Sequence, residues 1–147
     1  MIYQAEKEDL QDLTGLALRL WPDHIFEELF LDLQQIMCKP EAAFFLCRQD
    51  GIPVGFAQCQ LRHDYVEGTQ SSPVGYLEGI FVAENYRKQG IARKLLLACE
   101  QWATEQGCIE FASDCELTNL ESLAFHLRMG FLEVGRIICF TKSLESK

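Results

Sequence analysis

Arg87, Lys88, Gln89 and Gly90 stand between an apolar run, YLEGIFV at 76–82, and a segment in which Ile91, Leu95, Ala98 and Trp102 recur at helical spacing. The order is strand, short basic loop with a glycine, helix. The first amides of a helix lack internal acceptors, and with the helix dipole they form a site for an anion. Glycine lets a phosphate come close to the backbone. An exposed dipole contributes about 0.3–1 kcal/mol, whereas one hydrogen bond to a charged group contributes about 1.5–3 kcal/mol. The amides of residues 89–94 therefore dominate, and a diphosphate can use several at once. As ordinary loop charges, Arg87 and Lys88 would oppose the dipole, and a locally unfavourable choice of this kind points to function. The loop has neither the GxxxxGK[ST] of a P-loop nor the GxGxxG of a dinucleotide fold.

Carboxylates form the second set of reactive residues. Glu78 lies in the apolar strand two residues before Ile80, and regular alternation puts both side chains on one strand face. Asp114 ends the next expected strand. Opposite unit charges 4 Å apart gain about 1 kcal/mol in water and roughly 4 kcal/mol at an effective dielectric of 20, so partly enclosed carboxylates would hold a cation better than diffuse surface charge. Each also has an ordinary role open to it: a strand-edge charge for Glu78, a turn residue for Asp114. Trp21 is either a core aromatic at a helix end or an exposed recognition group, and His24 is equally open. Tyr65, in a polar loop, is a candidate for stacking or hydrogen bonding.

The elements that must hold these residues follow from periodicity. A short strand is expected at 2–5, a helix at 6–21 stopped by Pro22, and a helix at 26–37. Strands are expected at 43–48 and 54–62, with a hairpin turn through Gln49, Asp50 and Gly51. A polar loop covers 63–73, followed by a strand at 74–82, the basic loop, a helix at 90–106 ended by Gly107, and a strand at 108–113. Asn119 caps a helix reaching Met129, and 131–140 has strand-like residues. There is no linker, repeat or low-complexity stretch. The pattern is a single mixed α/β (α+β) domain over 1–147, with antiparallel hairpins early in the chain.

The 147 residues are enough for one core, and 48% hydrophobic with 24% charged residues is the profile of a soluble globular protein. No apolar run reaches the roughly 18 residues of a membrane span, and the charged N-terminus does not suit a signal peptide, so a cytoplasmic location and no membrane partner are expected. A net charge of −9 argues against nucleic acid and allows a cationic partner. The seven cysteines have no CxxC pair, which fits reduced core residues rather than a metal site.

The loop Arg87-Lys88-Gln89-Gly90-Ile91-Ala92 resembles the R/Q-x-x-G-x-G/A signature of the GCN5-related N-acetyltransferases (GNAT), and FHLRMGF at 125–131 resembles the second hallmark of that family. The resemblance runs over essentially the whole chain. It implies a mostly antiparallel mixed sheet with a splayed central strand pair, flanked by about four helices. It implies acetyl-CoA as cosubstrate, with no metal. Arg87, Lys88, Gln89, Gly90, Ile91, Ala92 and Arg93 would hold its diphosphate. Ile80, Phe81 and Val82 would line the pantetheine arm, mainly through the backbone of Ile80 and Val82, and Asn119 would reach the cofactor from the later helix.

LWPDH at 20–24, RHDYVEG at 62–68, SSPVGYLEGIFV at 71–82 and FASD at 111–114 resemble a narrower group, the aminoglycoside 6′-N-acetyltransferases of antibiotic resistance, dimeric in the most similar subgroup. This resemblance implies an aminoglycoside partner surrounded by Trp21, His24, Tyr65, Glu78 and Asp114, and a homodimer. It implies direct attack in a ternary complex, with Glu78, Asp114 or a water between them as base. Two departures stand out. His126 takes the place of a tyrosine that many relatives use as acid toward the thiolate, and it is open to that role or to plain helix packing. Gly135 stands where the subgroup often has a glutamate. Two other functions are weighed against this one: acetylation of a polyamine, peptide or protein amine, and a non-enzymatic acyl-CoA sensor.

Overall fold

The computed structural model describes residues 1–146 in two compact units, the first Met1–Asp114 and the second beginning at Cys115. In the first unit, β1 (Ile2–Gln4) leads through a 3-10 turn (Lys7–Asp9) into α1 (Leu10–Leu20) and α2 (Phe26–Met37). Then come β2 (Ala42–Gln49), β3 (Ile52–Arg62), β4 (Val74–Val82), a 3-10 turn (Glu84–Tyr86), α3 (Ile91–Glu105) and β5 (Phe111–Ser113). The five strands form one sheet in the order β1-β2-β3-β4-β5. Pairing is antiparallel as far as β4, and β4 pairs with β5 in parallel. Asp50 and Gly51 turn β2 into β3 with φ of 51° and 78°, the left-handed pair that matches strand twist in a two-residue hairpin.

Helices cover both faces. Leu10, Leu13, Leu16 and Ala17 of α1 pack with Leu29 and Leu33 of α2 against Phe44, Leu46 and Phe56. Gly55, one residue before Phe56, faces Leu95 of α3 instead; adjacent strand residues point to opposite faces, so α3 lies on the other side of the sheet. Leu95, Leu96, Cys99 and Trp102 are its buried stripe. Cys47, Cys59, Cys99 and Cys108 are buried thiols, as small core residues should be, while Cys38, Cys115 and Cys139 are exposed.

Arg48 pins the first helix to the sheet. Its guanidinium donates to Tyr3 Oη at 2.8 Å, Asp12 Oδ2 at 2.8 Å and Asp9 Oδ1 at 3.2 Å. Burial pushes the Asp9 carboxyl up, but the Glu6 amide, the Tyr3 hydroxyl and Arg48 together outweigh it and hold the carboxyl below its ordinary value of 3.8. A lowered folded pKa gives stability that is present above the unfolded value and lost as pH falls below it. Replacing Arg48 with Ala should cost about 1–3 kcal/mol, seen in a thermal melt at pH 7 as a Tm lower by roughly 5 °C. Below pH 4 the wild type should lose stability more steeply than Arg48→Ala, so the two melting curves converge.

The second unit contains α4 (Leu120–Arg128), capped by the Asn119 side chain, which accepts the Ser122 amide at 3.1 Å. Two expected strands differ from the observed chain. The one expected at 108–113 is reduced to Phe111–Ser113, because the Cys108 amide still bonds the Ala103 carbonyl at 3.0 Å as part of the helix ending, and Ile109 points to solvent. Over 131–140 no strand occurs among the described residues, and Leu132, Ile137, Ile138 and Phe140 are 80–90% exposed. Strand-like composition is a preference that tertiary context decides.

Candidate active site

β4 is where the sheet opens. β5 pairs with Gly75, Tyr76 and Leu77 and then ends, so from Glu78 onward β4 has β3 on one side and no strand on the other among the described residues. Ala83 donates its amide to the Val54 carbonyl at 2.8 Å. Residues that bond across an antiparallel ladder alternate, which turns the amides and carbonyls of Val82 and Ile80 outward to the open side. An extended chain could pair there as an added strand.

Glu78 departs from expectation. Gln58 pairs with Gly79 and Cys59 with Leu77, which leaves Glu78 as the extra residue of a β-bulge. The bulge resets the alternation: Gly75 faces Ala103 of α3, whereas Gly79, four residues on, faces Trp21 at the end of α1. Glu78 therefore does not share a face with Ile80 by simple alternation; it turns to Arg62 and Tyr76. A Cβ on Gly79 would stand 2.6 Å from the Trp21 ring, so glycine is what lets the indole lie on the strand.

Four side chains form a linked polar cluster beside the bulge. Arg62 donates through Nε to Glu78 Oε2 at 3.1 Å and through Nη2 to Glu78 Oε1 at 2.9 Å. Its guanidinium carbon lies 3.4 Å from the centroid of the Tyr76 ring. The Tyr76 hydroxyl donates to Asp114 Oδ2. Burial, then the bonded Asp114 carboxylate, pushes the Tyr76 hydroxyl well above the ordinary tyrosine range, so it remains a donor throughout neutral pH. Asp114 is exposed at the end of β5. Periodicity could not have found Arg62 and Tyr76, whose partnership crosses the β3–β4 hairpin; the glycine inside a strand at Gly79 was the one signal for the bulge.

The 63–73 loop stands over this part of the sheet. Val66 packs with Val74 and Tyr76, and Glu110 accepts the Gln70 amide at 2.9 Å and the Ser71 hydroxyl. That hydroxyl, then the amide, holds the Glu110 carboxyl below its usual range. Tyr65 is thereby presented 75% exposed, with its hydroxyl accepting the Gly68 amide at 3.4 Å. His24 is exposed in the turn after Trp21, its amide on the Trp21 carbonyl at 3.3 Å.

At the other end of β4, Lys88 and Gly90 take left-handed backbone, φ 64° and 80°, and Gly90 caps α3. The Lys94 amide bonds the Gly90 carbonyl at 3.1 Å, so those of Ile91, Ala92 and Arg93 precede the first helical bond, with no side-chain cap and no acid in the first turn. Gln89 is tied to Gln49 at 3.1 Å. Arg87 folds back: its Nε donates to the Val82 carbonyl at 2.8 Å, and it and Arg19 lie 5.8 and 5.1 Å from the Phe81 ring centroid. In the second unit, His126 donates through Nδ1 to the Ser122 carbonyl at 2.6 Å and lies against Phe125 and Phe131. A carbonyl only accepts, which places the proton on Nδ1. No group of three or more metal-ligating side chains occurs among the described residues.

Residues 2–131 match the acetyltransferase (GNAT) family profile. The chain belongs to the GNAT acetyltransferase family. Similar to this acetyltransferase is the aminoglycoside N(6′)-acetyltransferase type 1 of Stenotrophomonas maltophilia, 42% identical over 98% of this chain and 94% of that one. The protein of the same name from Salmonella enteritidis is 40% identical over 96% and 97%. Among solved structures, AAC(6′)-Iy with the bisubstrate analogue CoA-S-monomethyl-acetylneamine superposes with a TM-score of 0.93, at 40% identity over 97% of each chain. The acetyltransferase thus has the fold, the open β4 edge and the glycine-capped helix start of a CoA-dependent enzyme, and no described helix is long and apolar enough to cross a membrane.

Proposed function

We propose that this acetyltransferase carries the acetyl group of acetyl-CoA to the 6′-amino group of aminoglycoside antibiotics and so gives resistance to them. The observation that carries the reading is the carboxylate pair, Glu78 and Asp114, at the point where β4 loses its parallel neighbour, next to Trp21. A polycation rich in hydroxyls is matched by such a site, and relatives of 40–42% identity that bear this activity in their names support it.

In this reading the amides opening α3 take the diphosphate, helped by Lys88, Arg93 and the Arg87 Nη groups that its bond to the Val82 carbonyl leaves over, and the outward amides of Ile80 and Val82 with the Ile80 carbonyl take the pantetheine arm as an added strand. Trp21, His24 and Tyr65 bind the sugar rings. Glu78, directly or through a water shared with Asp114, accepts the ammonium proton; the free amine attacks the thioester carbonyl. A backbone amide near Ile80 stabilises the oxyanion. The tetrahedral intermediate collapses with release of the thiolate, which receives the remaining proton of the attacking nitrogen through water or through Nε2 of His126. Asn119, whose side-chain oxygen already caps α4, would meet the cofactor through its amide nitrogen.

The family profile runs through both units, which supports a single acetyltransferase domain over 1–147. The exposed apolar row Leu132, Ile137, Ile138 and Phe140 supports a homodimer. Seven unpaired thiols and the need for acetyl-CoA support the cytoplasm.

The test is thiol release from acetyl-CoA with kanamycin, spermidine or a basic peptide as acceptor. Release with kanamycin, and a product acetylated at the 6′ nitrogen by NMR, is expected. Faster turnover of spermidine or the peptide would sink the aminoglycoside assignment in favour of a polyamine or peptide acetyltransferase, and no release with any amine would sink the enzymatic reading.

A further inference from the structure

We propose that Arg62 is a positioning residue for acetyl transfer, acting on the acceptor amine through Glu78; the inference rests on Glu78 being the group that takes the amine's proton. Arg62 ends β3 opposite Val74, across the hairpin from the bulge. Its planar fork meets both oxygens of Glu78, at 2.9 and 3.1 Å, while its flat side lies on the Tyr76 ring. Held edge-on by the carboxylate and face-on by the ring, the guanidinium fixes the plane of the carboxylate. Each oxygen keeps an acceptor position that Arg62 does not fill, and that second position is the one an amine or bridging water needs. Glu78 is the extra residue of a bulge, where backbone pairing constrains a side chain least, so it needs such an external hold. The Glu78 side chain is 17% exposed and that of Arg62 40%; the base is sheltered and its holder stands at the rim.

Charge separates this role from substrate binding. Glu78 and Asp114 supply two negative charges and Arg62 one positive, so the cluster presents a net single negative charge to a cationic acceptor. Loss of Arg62 makes the site more negative, which on charge alone leaves binding of a polycation as tight or tighter. Loss of carboxylate alignment lowers the rate of the chemical step. The expected signature is a lower kcat without a higher KM for the acceptor. Lysine cannot replace arginine, because it is a point charge with neither fork nor flat face.

The experiment is a double-mutant cycle of Arg62→Gln and Glu78→Gln, with Arg62→Lys alongside, by steady-state kinetics with kanamycin and acetyl-CoA. Both Arg62 variants should lose roughly tenfold in kcat. KM for kanamycin should stay level or fall, and KM for acetyl-CoA should stay within about twofold. On the Glu78→Gln background, Arg62→Gln should cost less than about twofold, since its target is already gone. Wild-type kcat in Arg62→Gln, a rise in KM for kanamycin as the main effect, or equal loss on both backgrounds would overturn the role. If Arg62→Gln does not fold, Arg62→Lys carries the same criteria. Glu78→Gln at full rate would remove the assignment of Glu78 itself, and the inference with it; a slow Glu78→Gln with an additive Arg62→Gln would remove the role of Arg62 alone.

Discussion

Replacing Glu78 with glutamine is expected to lower kcat for kanamycin about 10²-fold, the lower range for loss of a positioned general base, or about 2.7 kcal/mol of barrier. The substitution keeps the size and the hydrogen bond to Arg62 but removes the ability to take a proton. KM for acetyl-CoA should hardly change, because the helix start proposed to take the diphosphate lies beyond the far end of β4. Stability should change far less than activity. Arg62 loses its counter-ion, but with 40% of its side chain exposed it is largely rescued by water, a cost of about 1 kcal/mol or less. The pH dependence gives a second check. With the base gone, the reaction depends on amine that is already neutral in solution. The rate of Glu78→Gln should therefore climb toward that of the wild type as pH rises toward the ammonium's own range. A variant as fast as wild type at neutral pH, or a deficit that persists unchanged at high pH, would remove Glu78 from proton transfer.

Replacing Gly90 with valine is expected to separate cofactor binding from folding. Gly90 sits at φ 80°, and an L-residue held there costs about 1–2 kcal/mol, more for a branched side chain. Among the described residues, no heavy atom other than those of its chain neighbours lies within 4 Å of where its Cβ would stand, so in the free protein the cost is confined to the backbone. Tm should fall by roughly 5 °C. The same open space is where a diphosphate would approach the Ile91, Ala92 and Arg93 amides. Two methyl groups there keep it from closing on them, and losing one or two charge-assisted hydrogen bonds weakens acetyl-CoA by roughly 10²-fold. Calorimetric titration gives the Kd and scanning calorimetry the Tm; a variant that binds acetyl-CoA as tightly as wild type would show that the diphosphate is held elsewhere.

How far the sequence reaches depends on the range of the forces involved. α2 at Phe26–Met37 and β4 at Val74–Val82 run where periodicity puts them, because their own apolar patterns and flanking breakers bound them. The glycine-capped helix start was legible for the same reason: glycine, basic residues and the helical stripe are contiguous. Glu78 was legible as a carboxylate on the cofactor-side strand, proposed above as the base; its orientation was not. A bulge arises from registry between two strands, and only Gly79 hints at it. Arg62 and Tyr76 were missed because their pairing crosses a hairpin whose loop is over ten residues long. Residues 131–140 have strand-like composition, yet no strand occurs there among the described residues, since composition supplies only a preference.

In the proposed enzyme, main-chain amides opening α3 grip the diphosphate of the acetyl donor while its arm pairs with β4. Calorimetric titration of the folded protein with acetyl-CoA and with acetyl-pantetheine, which has the arm and thioester but no diphosphate, tests it most directly. Acetyl-CoA should bind at least about 100-fold tighter than acetyl-pantetheine, since two or more charge-assisted bonds are at stake. Equal affinity for the two, or no heat with acetyl-CoA, would contradict it.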